Sequence, residues 1–301
     1  MGKRKRMRSC FLLAALLLAH LAGAQESDGS PTMEPVEKLE TLEIQMAAAR
    51  KAVRKARADS ARFAANNTFL ALIDTALALP ESRNYPFDSL NSTMAVLEAP
   101  DNTFRLLNWN IPANDGTHEY FGYVQTVDPE TQAYRVQTLK DQSWNLDRPL
   151  NKQLTAKKWF GALYYEIIAV ELDKSKRVYT LLGWDGNNQT TQKKVIEVME
   201  LAPNGDVRFG VPMFKTEKGM QRRMIFEYSN EASMSLRYHP RNKQIVFDHL
   251  SPRAPELEGM WQFYGPDLSY DALKLKKGKW QYMRDVDVRT DDRQRVWNKP
   301  K

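Results

Sequence analysis

Residues 163–201 read LYYEIIAVELDKSKRVYTLLGWDGNNQTTQKKVIEVMEL. Two apolar, β-branched and aromatic runs flank the polar turn Asp173-Lys174-Ser175-Lys176, and a third follows Asp185-Gly186-Asn187-Asn188. Runs of this composition bounded by turn residues read as strands. Connections this short make neighbouring strands antiparallel, because a parallel pair needs a crossover of about a dozen residues or more. The stretch predicts the centre of an antiparallel sheet.

The same pattern extends outward. Residues 94–98 and 103–111 flank Pro100-Asp101-Asn102, and 118–127 and 131–139 flank Asp128-Pro129-Glu130. After a polar stretch around 143–158, strand-like runs return at 161–172, 177–184, 193–201 and 207–209, then at 224–228, 232–238, 244–249, 260–264, 270–275 and 279–288. Within 232–238, Met234, Leu236 and Tyr238 alternate with Ser233, Ser235 and Arg237, which gives one buried and one wet face. Short strands with regular turn signals predict a mainly β chain. Residues 93–301 form a large antiparallel β domain, as a sandwich, barrel or propeller-like array. No exact internal repeat divides it into blades.

Ahead of the strands, residues 35–92 carry a helical segment. Leu39, Leu42, Met46, Ala49, Val53 and Ala56 recur at alternating spacings of three and four, a heptad seam. Glu34, Glu37, Glu40 and Glu43 come early and Arg50, Lys51, Arg54 and Lys55 late, an order that complements the helix dipole. Such a seam serves either a partner helix or the chain's own domain. Its shortness and its decay to Ala and Ser favour the latter. A second helical stretch over 58–79 shows Phe69, Leu72, Ile73, Ala76 and Leu77 on one face and stops at Pro80, either after a break or as a continuation of the first.

The 301-residue chain carries a net charge of +7, but the position of the charge matters more than its sum. Lys3, Arg4, Lys5, Arg6 and Arg8 precede the apolar run 11–19, and Ala22-Gly23-Ala24 follows as a small-residue processing site. Residues 1–24 therefore read as a secretory signal peptide. The apolar run is too short for a span of ~20 residues, so no transmembrane segment is expected in the mature chain. Residues 25–34 read as a disordered new N-terminus. Cleavage after Ala24 removes five positive charges and leaves 39 basic against 37 acidic side chains. That near-balance argues against nucleic acid as a partner, which calls for a clustered basic face. Cys10, the single cysteine, lies within the leader, so the mature chain holds its fold without disulfide or thiolate chemistry. The expected location is the periplasm or the extracellular space.

Signatures of catalysis are sparse. His118, His239 and His249 are not spaced as metal ligands, and no nucleophile elbow, phosphate-cradling glycine loop or dinucleotide fingerprint occurs. No cofactor, metal or catalytic residue is assigned. The loop of Trp184, Asp185 and Asn187 has oxygen-ligand character, but Asp-Gly and Asn-Asn are also ordinary turn chemistry. Asp285 and Asp287 alternate and would share one strand face, as paired carboxylates do in glycoside hydrolysis; a solvent-facing polar row is the plainer reading. Two loops are richest in functional residue types. One holds Asp248 and His249, and the other Tyr264, Asp267 and Tyr270, with Trp261 beside it. Loops on a rigid β scaffold carry function, and exposed Trp and Tyr rings stack on sugars or meet protein partners. Most buried Trp, by contrast, simply fill cores.

The stretches TFRLLNWNIP, YTLLGWDGNN, RFGVPMF and IVFDHLSP, followed by QFYGPDLSYDA, resemble those of exported proteins from Bacteroidota-type bacteria. The resemblance covers about 97–288. It implies a Gram-negative cell-envelope setting and carries over no activity or site residue. The expected function is non-catalytic binding of an envelope protein or glycan through loops of the β domain. The alternative is a carboxylate-dependent hydrolase of glycans or peptides.

Overall fold

The computed structural model describes residues 34–128, 130–173 and 176–287. The leader, residues 25–33, Cys10 and Trp297 lie outside the described residues. Helix α1 (Pro35–Lys55) opens with Pro35, whose missing N–H costs nothing in a first turn, and closes on Arg54 and Lys55. The chain breaks at 56–58 before α2 (Asp59–Leu77). Arg62 ties the break down by donating to the carbonyls of Ala56 at 3.2 Å and Pro112 at 2.6 Å. The heptad seam is spent within the chain. Leu39, Leu42, Met46 and Ala49 bury against Phe69, Ile73, Ala76 and Leu77 of α2 and against the first sheet.

That sheet is an antiparallel meander of β1 (Ala95–Glu98), β2 (Phe104–Pro112), β3 (His118–Val127) and β4 (Tyr134–Lys140). The stretch 163–201 forms the heart of the second sheet. It supplies β6 (Leu163–Glu171), β7 (Arg177–Asp185) and β8 (Thr191–Leu201), joined by the short β5 (Leu154–Thr155) and β9 (Val207–Phe209) in the order β5-β9-β8-β7-β6. The outer edge of β8 is shared. Its last residues pair with β9, and 191–197 pair with β12 (Arg223–Ser229). The third sheet contains β10 (Phe214–Thr216), β11 (Gly219–Gln221), β13 (Leu236–His239), β14 (Gln244–Pro252), β15 (Tyr264–Lys276) and β16 (Lys279–Met283), in the order β11-β10-β16-β15-β14-β13. Every pairing between these strands is antiparallel except β10 with β16.

The cores show how the sheets stack. Along β7, Val178 and Leu182 face the third sheet, while Tyr179 and Leu181 face the first. Thr180, on the same side as Val178, accepts from Trp280 Nε1 of β16 at 2.9 Å. The second sheet is therefore covered on both sides, which explains why its sequence is apolar almost throughout rather than alternating. A β-bulge at Tyr165, between Tyr164 and Glu166, keeps Tyr164 facing the first sheet while Ile168 and Val170 face the third. On the first sheet, Phe104 and Leu106 point to the second sheet, and Leu107 and Trp109 point to the helices. The architecture is mainly β: three stacked sheets with a helical pair on the outer face of the first. Among the described residues, no sheet closes into a barrel.

Several local expectations are corrected. Residues 260–264 hold a 3₁₀ turn (Trp261–Phe263) before β15, not a strand. The two residue-rich loops are largely strand: β14 runs on to Pro252, and β15 begins at Tyr264. Asp285 lies past the end of β16 with φ +49°, so Asp285 and Asp287 do not alternate along a strand. The polar stretch 143–158 contains two 3₁₀ turns, Ser143–Asn145 and Pro149–Asn151. The short strands β10 and β11 carry too few residues for a period-2 signal.

A candidate ligand-binding cleft between the second and third sheets

Where the core between the second and third sheets ends, it opens into a cavity of about 850 Å³. β12 supplies Ile225, Phe226 and Glu227 along one side, and Leu250, Tyr264 and Tyr282 of the third sheet form the other. The 3₁₀ turn with Trp261 and the segment from Ser143 to Asn151 complete its lining. This volume lies within the ~300–1,000 Å³ typical of small-ligand sites. A smaller cavity of about 230 Å³, bordered by Met224, Gln221 and Arg284, shares Lys218, Phe226 and Tyr282 with it, so the two adjoin.

The lining is aromatic and basic. Trp261, 44% exposed, packs against Tyr264 with ring centroids 4.7 Å apart. The Tyr264 hydroxyl accepts from Gly259 N at 2.9 Å, which fixes the ring. Trp144 is 79% exposed on the turn whose neighbours Ser143 and Leu146 line the cavity. Trp261 therefore lines the cleft and Trp144 stands on a flanking turn, whereas Trp109, Trp159 and Trp280 are fully buried core. Arg148, Lys193 and Lys218 line the cavity, and Glu227 is the one carboxylate among its lining residues.

Buried polar groups hold the walls in place. Asp271, 2% exposed, accepts from the Tyr282 hydroxyl, from His249 Nδ1 at 2.8 Å and from Asp285 N at 3.1 Å. Burial and the Asp271 carboxylate push the Tyr282 hydroxyl well above its ordinary range, so it remains a donor. On the opposite side, Arg223 is paired with Glu197, and both side chains are wholly buried. The Arg223 guanidinium also donates to the carbonyl of Pro149 and lies 5.3 Å from the Phe160 ring, anchoring the 149–151 turn. Burial lowers the Arg223 pKa to about 10. Glu197 accepts a further bond from Tyr164 at 2.6 Å.

The sequence-predicted site residues divide into three groups. Trp261 and Tyr264 line the cleft. Asn187 stands one side chain behind it and His249 two. Asn187 Nδ2 donates to Glu227 at 3.1 Å, and its Oδ1 accepts from Lys193 at 2.6 Å; His249 reaches the cleft through Asp271 and Tyr282. The rest serve local structure. Trp184 donates to Gln192 at 2.7 Å, Asp248 accepts from Ser235 N at 2.7 Å, and Tyr270 pairs with Asp248 across the sheet. Asp185 is buried and accepts from the Tyr120 hydroxyl at 2.9 Å. Asp267 lies on an excursion of β15 opposite His249, where the register slips and Leu268 sits exposed at φ +74°. Burial opposes the Asp267 charge, but bonds from the side chain and backbone of Ser269, with His249 nearby, hold its carboxyl below the usual range.

The 185–191 turn spends its oxygens internally. Lys193 Nζ sits 2.6 Å from Asn187 Oδ1, 3.8 Å from Asp185 and 4.0 Å from Glu227, so the positive charge among them is the chain's own ammonium. Among the described residues, no cluster of three or more His, Cys, Asp or Glu side chains is arranged to hold a metal ion. Sequence reasoning missed Arg148, Lys218, Phe226 and Tyr282. Only Phe226 left a trace: Met224, Phe226 and Tyr228 share one face of β12.

Comparison of the chain with protein-family models, curated proteins and solved structures returns no match. The assignment below therefore rests on the geometry of the cleft. Among the described residues, no helix is long and apolar enough to cross a membrane.

Proposed function

We propose that this is an exported, non-catalytic binding protein of the cell envelope whose cleft beside Trp261 takes a glycan. The observation that carries the reading is the solvent-facing Trp261 ring, set with Tyr264, Tyr282 and Phe226 in the lining of one cavity. Large exposed rings lose favourable apolar burial until something covers them, and sugar C–H faces stack on such rings. Hydrolysis of a glycosidic bond by two carboxylates requires a separation of ~5–9.5 Å across the substrate. The cleft offers Glu227 alone, already bonded to Thr191 at 2.8 Å and Asn187. The export setting rests on the leader pattern and on the resemblance to exported envelope proteins.

Calorimetric titration with a panel of soluble polysaccharides tests the reading. At least one glycan should bind without being cleaved, and Trp261→Ala should weaken that binding by about 1.5–3 kcal/mol, the scale of covering one large apolar side chain. Binding unaffected by Trp261→Ala, or turnover of the glycan, would overturn it.

A further inference from the structure

Resting on that reading, we infer that the glycan is anionic, with its charges met by Arg148 and Lys218 at the mouth of the cleft. The cavity lining carries three cationic side chains against one carboxylate. Lys193 is committed to Asn187, Asp185 and Glu227. Arg148 and Lys218 are exposed and, among the described residues, neither side chain is paired with a carboxylate. They therefore leave an uncompensated positive field over an aromatic floor. A low-dielectric wall focuses such a field toward an incoming anion.

Arg148 is also held in a costly place. Its backbone adopts φ +51°, just before the 149–151 turn, where a residue with a Cβ is strained by of order 1 kcal/mol. The neighbouring Pro149 carbonyl is fixed by the buried Arg223, so the turn presents Arg148 from a rigid base. Lys218 and the rings of Phe226 and Tyr282 border both cavities. An extended chain lying along the pair would meet Trp261 in the larger cavity and Lys218, Tyr282 and Phe226 where the two adjoin. Farther along, Arg284 is balanced by Glu217 at 3.0 Å, so the unbalanced charge belongs to the larger cavity. Rings that stack on sugar faces, combined with unpaired cations at the rim, select an acidic saccharide: carboxylated, as in uronic acids, or sulfated.

Two matched pairs of probes separate the charge from the sugar. Oligogalacturonides are compared with their methyl esters, and dextran sulfate with dextran, by titration against the full chain. The expected result is that at least one acidic member binds about tenfold or more tightly than its neutral partner, with affinity falling as salt rises. The pair that responds tells carboxylate from sulfate. Arg148→Gly combined with Lys218→Gln should remove most of the preference. Glycine suits φ +51°, so this variant should fold, and a circular-dichroism melt checks that it does. Equal binding of acidic and neutral members, still lost in Trp261→Ala, would overturn the charge inference and leave the glycan reading standing. Binding of an acidic peptide in preference to every glycan, or no binding at all, would overturn both.

Discussion

His118 shows what a single side chain reveals about its surroundings. Asn110 Nδ2 lies 2.7 Å from its Nδ1, and the ring packs over Gly186, where a Cβ would come within 2.2 Å of Nε2. Trp184 meets the ring edge-on at 5.3 Å. With the Asn110 amide donating, the imidazole is neutral. Burial lowers its pKa, and the nearby Asp185 carboxylate offsets this only in part. The unfolded chain takes up this proton from about pH 6.5 downward, while the folded chain resists it to lower pH. Stability is therefore full above about pH 6.5 and declines as pH falls through the folded value. Urea midpoints measured from pH 8 to pH 5 should show that decline, and His118→Gln should flatten it; an unaltered slope would contradict this account. None of it was legible beforehand. The sequence places His118 at the start of a strand and shows neither Asn110 nor Gly186 beside it.

The pairing of elements was more readable than their neighbours in space. Runs at 103–111, 118–127, 177–184 and 193–201 match strands to within a residue or two, because alternation and turn chemistry are local signals. The heptad seam of α1 was legible as an apolar stripe, and its packing on α2 and β2 settles which surface it covers. The Arg223–Glu197 pair was invisible, because it joins β12 to β8 across 26 positions. That pair locks the cleft-bearing edge strand to its sheet. Replacing Glu197 with Gln leaves a buried guanidinium without its counter-charge, a change that costs about 3–5 kcal/mol. Chemical denaturation should show a loss of that size. A loss below about 1 kcal/mol would mean that the pair does not hold the edge in place.

At the scale of the molecule, the central sheet takes apolar cover from both neighbours, and the cleft forms where one of those covers stops. The composition of 163–201 announced the centre of an antiparallel sheet, and its apolar character on both faces is explained by the double cover. It did not announce that two further sheets would cover it, because that depends on contacts far apart in sequence. Trp261 and Tyr264 were found as aromatics near turns, whereas the basic rim from Arg148 and Lys218 comes from two segments about seventy residues apart and left no local pattern. The account depends on that cleft being where ligand sits. Hydrogen–deuterium exchange of the full chain, with and without a saturating glycan that binds it, tests this directly. Protection should rise in 143–151, 222–228 and 259–264, while α1 and the outer face of the first sheet stay unchanged. Protection confined to the helices or to the first sheet, with the cleft segments unmoved at saturation, would contradict it.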